Sequence, residues 1–396
     1  MRVIISNCLL GVPCRFDGSA KPSREVRELA QKTEVCAICP EVTAGLSTPR
    51  PPAERLGDAI LLKDGTDVTR PFVAGARKEL ERAQRFGARI AILKAKSPSC
   101  GVSKIYDGTH TGTLVFGDGI LTQLLKEEGI CVVTEETLAA IKPSVEHPVA
   151  IILGTGLAHL ARLVTPVRRI AYADIDGFPV GATAQAGQVF EATIGTIDEV
   201  PVVVYPGRLH LYQGYTASEV VSLVRHAHKL GCRDIIFACA TAGIAGNAHP
   251  GLGIISDHIN LTGINPLADP HTLRDLPTAF ISMREAYSPY LCSLTRGIAD
   301  DLGIELQTGV LAQTLGPSFE TAAEIEALRR SGVSYVGMSV ACEVIMARAL
   351  GMHVLGLTLV AHQAGAPEIS HESIRKAAEA RSEDFERLVC GVLRML

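Results

Sequence analysis

Apolar residues arrive along this chain in short β-branched runs separated by amphipathic stretches. That alternation builds a parallel sheet with helices packed against it. Val3-Ile4-Ile5 is the first run, and Ser23 to Lys32 reads as a following helix. Residues 71–86 have a helical period that puts Phe72, Ala76, Leu80 and Ala83 on one face, and Arg89-Ile90-Ala91-Ile92-Leu93 is again a strand. Ile141 to Pro148 is short and polar with two prolines, the composition of a boundary. The pattern then restarts with Val149-Ala150-Ile151-Ile152-Leu153, Val202-Val203-Val204-Tyr205, Asp234 to Ala238, Gly309-Val310-Leu311, Val336 to Ser339 and Leu357 to His362. Ser256 to Leu261 reads as a strand end entering a loop, and an amphipathic helix capped by Ser370 runs to the end. The expectation is two α/β units, 1–142 and 149–396, joined by a linker over 143–148. Each has a central parallel or mixed sheet flanked by helices.

A chain of 396 residues is too long for one compact core, and with 47% hydrophobic and 20% charged residues both halves can fill one. Lys plus Arg against Asp plus Glu gives 38 − 42 = −4, which offers no basic footprint for nucleic acid or an anionic membrane. Met1 to Ser6 has no signal-peptide character and no apolar run reaches membrane-spanning length, so a soluble, cytoplasmic protein is expected. Eleven cysteines, an odd number, argue against a disulfide framework.

Their distribution is more informative. Cys8, Cys14, Cys36, Cys39 and Cys100 sit in the first hundred residues, mostly in loop-like sequence, whereas the other six mostly fall in apolar segments. Loops at the carboxyl ends of parallel strands converge on a ligand site. Thiolates gathered there favour zinc or an iron–sulfur cluster, and Cys36-Ala37-Ile38-Cys39 alone does not decide between metal and redox chemistry. Cys8…Cys14-Arg15-Phe16-Asp17-Gly18, Cys39-Pro40-Glu41-Val42, Asp67-Val68-Thr69, Ser97-Pro98-Ser99-Cys100-Gly101 and Ile105-Tyr106-Asp107-Gly108 together resemble the thiouracil desulfurase (TudS) family over about residues 1–142. The resemblance implies a [4Fe–4S] cluster held by three of Cys8, Cys14, Cys39 and Cys100, with Cys8, Cys39 and Cys100 the favoured set. An open iron would take the sulfur of a thiolated base, and Glu41 and Ser97 match positions that handle water and protons. Cys36 falls outside the pattern.

In the second half, glycines at Gly154-Thr155-Gly156 let backbone N–H groups approach an anion. Arg208 and His210 follow a strand end and together suit a tetrahedral oxyanion, while Tyr212 offers a flat face to a sugar. The order Gly154-Thr155-Gly156-Leu157, Gly207 to Tyr215, Thr241-Ala242-Gly243, Asp257 to Leu261, Gly316 to Thr321, Val336 to Ser339 and His371-Glu372-Ser373 resembles the trimeric branch of the purine nucleoside phosphorylase family over 149–396. The resemblance implies phosphate as co-substrate, bound by Thr155, Arg208, His210 and the backbone of Ala242. It implies ribose contacts from Tyr212 and His371, with Met338 and Ser339 beneath the sugar and at the phosphate. It also implies that Phe319 and Glu320 line the base pocket, and that the partners are a nucleoside or base and two further copies in a homotrimer.

The chain departs from that family in three places. His362 stands where Asn or Asp is usual, Gln213 replaces a Glu, and Cys239-Ala240-Thr241-Ala242 replaces Thr-Asn-Ala-Ala. A histidine donates to purine N7 but cannot copy an amide's paired groups. Two functions compete on this basis. One is a bifunctional salvage enzyme that cleaves a nucleoside with phosphate and removes sulfur from a thiolated base or nucleoside. The other is a desulfurase whose C-terminal half only binds nucleosides and trimerises. A structural zinc at the N-terminal cysteines is the third possibility.

Overall fold

A computed structural model describes residues 1–182, 189–273, 276, 278–367 and 370–396, without the side chains of Leu273 and His371. The chain divides into two compact units, Met1–Lys142 and Pro143–Arg394.

In the first unit the buried runs form β1 (Arg2–Ser6), β2 (Glu34–Ile38), β5 (Ile90–Leu93) and β8 (Cys131–Thr134). They make a four-stranded, fully parallel sheet in the order β2-β1-β5-β8. Two antiparallel hairpins, β3–β4 (Ala53–Leu56, Ala59–Leu62) and β6–β7 (Lys104–Tyr106, Leu114–Phe116), stand apart from it. Helices α1 (Asn7–Leu10), α2 (Arg24–Gln31), α3 (Pro40–Thr43), α4 (Thr69–Phe86), α5 (Ile120–Glu127) and α6 (Glu135–Ala140) connect the strands. Ser23 caps α2 by accepting from the Val26 amide, and Gly87 ends α4 at φ 71°, a left-handed value that glycine reaches without strain. The inward face of α4 differs from expectation: Leu80 is only half-buried, and Glu79 joins Phe72, Ala76 and Ala83 in the interior.

Among the described residues the second unit has nine strands: β9 (Val149–Ile152), β10 (Thr165–Ala171), β11 (Glu191–Ile197), β12 (Val200–Tyr205), β13 (Asp234–Gly243), β14 (Gly251–Asn260), β15 (Leu306–Gln313), β16 (Val333–Gly337) and β17 (His353–Gln363). Their order is β10-β11-β12-β9-β13-β16-β15-β14-β17, and β13 also pairs with β17, so the last five strands close on themselves. The sheet is mixed, with β13 parallel to β9 and β17 but antiparallel to β16. The helices are α7 (Ala217–Val220), α8 (Ser222–Lys229), α9 (Pro270–Leu273), α10 (Pro289–Leu302), α11 (Ala322–Arg330), α12 (Ala341–Ala349), α13 (His371–Glu379) and α14 (Ser382–Met395). Residues 256–261, expected to leave a strand, mostly continue β14, which pairs with β15 as far as Asn260. The single C-terminal helix expected from Ser370 is broken between α13 and α14. α14 buries Phe385, Leu388, Val389, Val392 and Leu393, whereas among the described side chains of α13 only Ala378 is buried. No helix among the described residues is long and apolar enough to cross a membrane.

Candidate functional sites

Strand register gathers the N-terminal cysteines. Ser6 is level with Ile38 on β2, and Ile5 is level with Ile92 on β5, so the segments leaving these strands emerge at one edge. Cys8 lies in α1, Cys39 is the N-cap of α3, and Cys100 follows β5 by way of Ser97-Pro98-Ser99. Cys8, Cys14, Cys39 and Cys100 all line one cavity of about 620 Å³, together with Glu41, Ser97, Arg50, Lys94, Lys96, Tyr106 and His110. Cys36 does not line it; on β2 it packs against the core.

The Cys39 thiol donates to the Cys14 carbonyl at 4.0 Å, and the titrations of Cys39, Cys14 and Cys8 influence one another. The bond from Cys39 favours the Cys14 thiolate, but the bond to Cys8 and burial outweigh it and push the Cys14 thiol up to about 11. The hydrogen bond that Cys39 gives Cys14, and then burial, push the Cys39 thiol up as well, and burial does the same to Cys100. Glu41 is held by Arg50, whose Nε donates to Oε2 at 2.8 Å while Nη2 reaches the same oxygen and also the Cys14 carbonyl at 3.0 Å. Ser97 Oγ accepts from the amides of Ser99 and Cys100, both at 3.2 Å, which fixes the turn that presents Cys100. In sequence, Thr48-Pro49-Arg50 has only the character of a Pro-rich turn, and nothing local marks Arg50 as the partner of Glu41.

Among the described residues no three His, Cys, Asp or Glu side chains are placed to hold a single metal ion. A cluster spreads its irons more widely than one ion, and its thiolates need not converge on one point. Four thiols around one cavity are a soft donor set of the kind such clusters take.

The second site lies at the edge reached by β9, β12, β13, β15, β16 and β17. Tyr205 of β12 and Phe237 of β13 are both level with Ile152 of β9, Gln313 is level with Gly337, and Ala242 with His362. A cavity of about 520 Å³ is lined by Thr155, His210, Tyr212, Ala242, Phe319, Glu320, Met338, Ser339 and His362, with Cys239, Thr241 and Ile374 among their neighbours. The side chain of His371, at the start of α13, lies outside the described residues.

Each wall has a local cause. His210 is the N-cap of a 3₁₀ turn in which Gln213 Oε1 accepts from its amide at 2.9 Å and stands 3.4 Å from its Nδ1, and the imidazole stacks on Tyr212 at 4.9 Å. Gln213 therefore still presents an acceptor to His210, although its charge is gone. Glu320 Oε1 accepts from Thr314 Oγ1 at 3.1 Å. Gly316, at φ 73°, packs so closely on Met338 that a Cβ there would stand 2.4 Å from its sulfur. Phe319 meets His362 edge to face at 6.4 Å, the His362 Nε2 is buried without a hydrogen-bond partner, and burial pushes that imidazole below its usual pKa.

Arg208 is not brought to this cavity with the others. It is buried, and its Nη1 donates to Glu343 at 3.0 Å while Nη2 donates to the carbonyls of Ile152 at 2.8 Å and Ala238 at 2.6 Å. Its Nε is buried and unpartnered. Glu343 also accepts the Val340 amide at 2.5 Å, and Val340 sits at φ 90° directly after Ser339. Tyr172 braces the same loop by donating to the Gly207 carbonyl at 2.8 Å. Nothing in the local sequence marked Glu343 or Tyr172.

A profile described as the phosphorylase superfamily matches residues 148–394. The chain belongs to the phosphorylase superfamily. Within this superfamily it is similar to purine nucleoside phosphorylases. Purine nucleoside phosphorylase 1 of Geobacillus stearothermophilus is 38% identical over 251 residues, which is 62% of this chain and 90% of that protein. Its counterpart in Bacillus subtilis is 37% identical over 266 residues, covering 65% and 97%. A solved structure of the Schistosoma mansoni purine nucleoside phosphorylase with adenosine aligns at a TM-score of 0.58 and 29% identity, over 63% of this chain and 90% of that one. A second profile, 2-thiouracil desulfurase, matches residues 3–137. There the uncharacterized protein YbbK of Bacillus subtilis is 38% identical over 146 residues, 34% of this chain and 97% of that protein. The phosphorylase unit is thus fused to a desulfurase-like one.

Proposed function

We propose that the chain is a bifunctional nucleoside salvage enzyme, acting in the cytoplasm as a homotrimer. Its C-terminal unit cleaves a purine nucleoside, thiolated or not, with phosphate. Its N-terminal unit removes sulfur from a thiolated base or nucleoside. The observation that carries the first activity is the single cavity shared by Thr155, His210, Ser339, Tyr212, Glu320 and His362.

Phosphate binds to Thr155, His210, Ser339 and the Ala242 backbone, with the buried Arg208 guanidinium behind them as a fixed positive charge. A phosphate oxygen attacks the anomeric carbon as the bond to the base nitrogen breaks, and its electron pair leaves with the base. Preorganised donors on both sides of the cationic ribose lower that barrier. Met338 lies under the sugar, and Tyr212 and His371 hold its hydroxyls. Glu320 accepts the N1 proton of a 6-oxopurine, and the neutral His362 donates one hydrogen bond to N7.

In the N-terminal unit the cysteines fit a [4Fe–4S] cluster through three of Cys8, Cys14, Cys39 and Cys100, with Cys8, Cys39 and Cys100 preferred. When bound, such a cluster would supply Lewis-acid chemistry toward a thiocarbonyl sulfur. Glu41, oriented by Arg50, takes a proton from the water that replaces sulfur on that carbon, and Ser97 orders the turn beside it. The net change is a thiocarbonyl plus water to a carbonyl plus hydrogen sulfide.

The test is phosphate-dependent release of ribose 1-phosphate from a panel of 6-oxopurine, 6-aminopurine and thiolated nucleosides. It is paired with iron and sulfide analysis of anaerobically purified protein. Turnover with four irons per chain is expected. Binding without turnover on every nucleoside would overturn the phosphorylase and leave a nucleoside-binding scaffold. Zinc in place of iron would overturn the desulfurase.

A further inference from the structure

Glu79 is a carboxylate with no exposed surface on the inward face of α4, at a position where the helical period calls for an apolar residue. Burying a charge is tolerated when it is paired and fully hydrogen-bonded. Both of its oxygens are used. Oε1 accepts the Cys39 amide at 3.3 Å and the Thr43 hydroxyl at 2.5 Å, and Oε2 accepts from Arg82 at 2.7 Å. Arg82 extends the link by donating to the Ala37 carbonyl at 3.2 Å, two residues before Cys39.

Those contacts grip one short element at both ends. Cys39 is the N-cap of α3 and its own side chain makes no capping bond. Thr43 is the last residue of α3, so one carboxylate binds the amide at its start and the hydroxyl at its end. One turn earlier on α4, Gly75 lies against the same element: a Cβ there would meet the Pro40 carbonyl oxygen at 2.0 Å and the Ala44 methyl at 2.9 Å. A four-residue helix has too few internal bonds to hold itself, so its orientation is imposed from outside. The Gly75 and Glu79 face of α4 imposes it, and α3 carries both Cys39 and Glu41 into the cavity.

We propose that Glu79 is a positioning residue for Cys39, fixing the backbone that presents this thiol to the iron–sulfur cluster; this rests on the cluster reading given above. Outer partners that orient a metal's ligands change its retention by about 10- to 100-fold when removed. In the full-length chain, reconstituted anaerobically, Glu79→Ala is expected to lose its visible cluster absorption to a ferrous chelator about 10- to 100-fold faster than wild type. Glu79→Gln keeps an acceptor oxygen for Cys39 and Thr43 and should return the rate toward wild type. Circular dichroism reports whether each variant is folded. A measurement on the metal-free wild type does not depend on either variant: the Cys39 amide should exchange its hydrogen as slowly as the core amides of α4. Unchanged cluster loss in folded Glu79→Ala would overturn the proposal, and so would a rapidly exchanging Cys39 amide. A wild-type chain that takes up no iron, with a protected Cys39 amide, would instead overturn the cluster reading, and the role assigned to Glu79 with it.

Discussion

Arg208 and Glu343 face each other at 3.0 Å with side chains only 1% and 2% exposed. Burial pushes the Glu343 carboxyl up against the pull of Arg208. Such a pair costs desolvation to form and more to break, because removing one partner strands a buried charge. Glu343→Ala should therefore destabilise the C-terminal unit by about 3–5 kcal/mol, read as an earlier transition for that unit in denaturant. The double variant Arg208→Met/Glu343→Leu should recover most of that stability, yet bind phosphate more weakly than wild type. Equal phosphate affinity in the double variant would show that Arg208 serves packing alone.

The base pocket makes a second prediction. Glu320→Ala removes a charged acceptor, and hydrogen bonds to charged groups contribute about 1.5–3 kcal/mol. The loss in kcat/KM for a 6-oxopurine nucleoside should be roughly 10- to 100-fold, with a smaller loss for a 6-aminopurine, which has no N1 proton to donate. Steady-state kinetics on the two substrates checks this, and equal losses would remove Glu320 from base recognition.

His362 gives a pH dependence whose sign can be worked out. Burial lowers its imidazole below the usual 6.5. The unfolded chain takes up a proton near the ordinary value, and the folded one only in more acidic solution. The stability from this residue is therefore fully present above about pH 6.5 and is lost as the pH falls through the depressed folded value. If the neutral ring serves N7, kcat/KM should show no inflection from His362 between about pH 7 and 9, and His362→Asn should leave that part of the profile unchanged. A decline through the neutral range that disappears in His362→Asn would mean that the imidazolium is the working form.

Cys36 and Cys39 provide an internal control, being three residues apart and both partly exposed. Cys39→Ala should abolish the iron–sulfur absorption of anaerobically purified protein. Cys36→Ala, which alters a thiol packed against the core outside the cavity, should leave it intact. Absorption spectra with iron analysis distinguish the two, and the opposite result would reassign the ligands.

Much of both sites was legible because the signals are local. Thr155, His210, Tyr212, Phe319, Glu320, Met338 and Ser339 sit in short segments that directly follow strands, and strand register then gathers them. The cysteine loops behave in the same way. The missed residues act across long stretches of chain: Glu343 meets Arg208 135 positions away, and Glu79 meets Cys39 40 positions away. No period or spacing encodes such partners. Arg208 shows the converse, since its residue type suits an oxyanion while three partners hold its tip elsewhere. The break between α13 and α14 also went unmarked, because no Gly or Pro stands at Ala380-Arg381.

Val340 holds a positive-φ backbone, φ 90° and ψ −46°, that a β-branched side chain resists at a cost of about 1–3 kcal/mol. Glycine would adopt that conformation freely, but Val340 is fully buried, so the exchange would forfeit its packing and release the direction of Ser339 beside it. At this one corner the fit of a single buried side chain holds a turn that its own backbone resists.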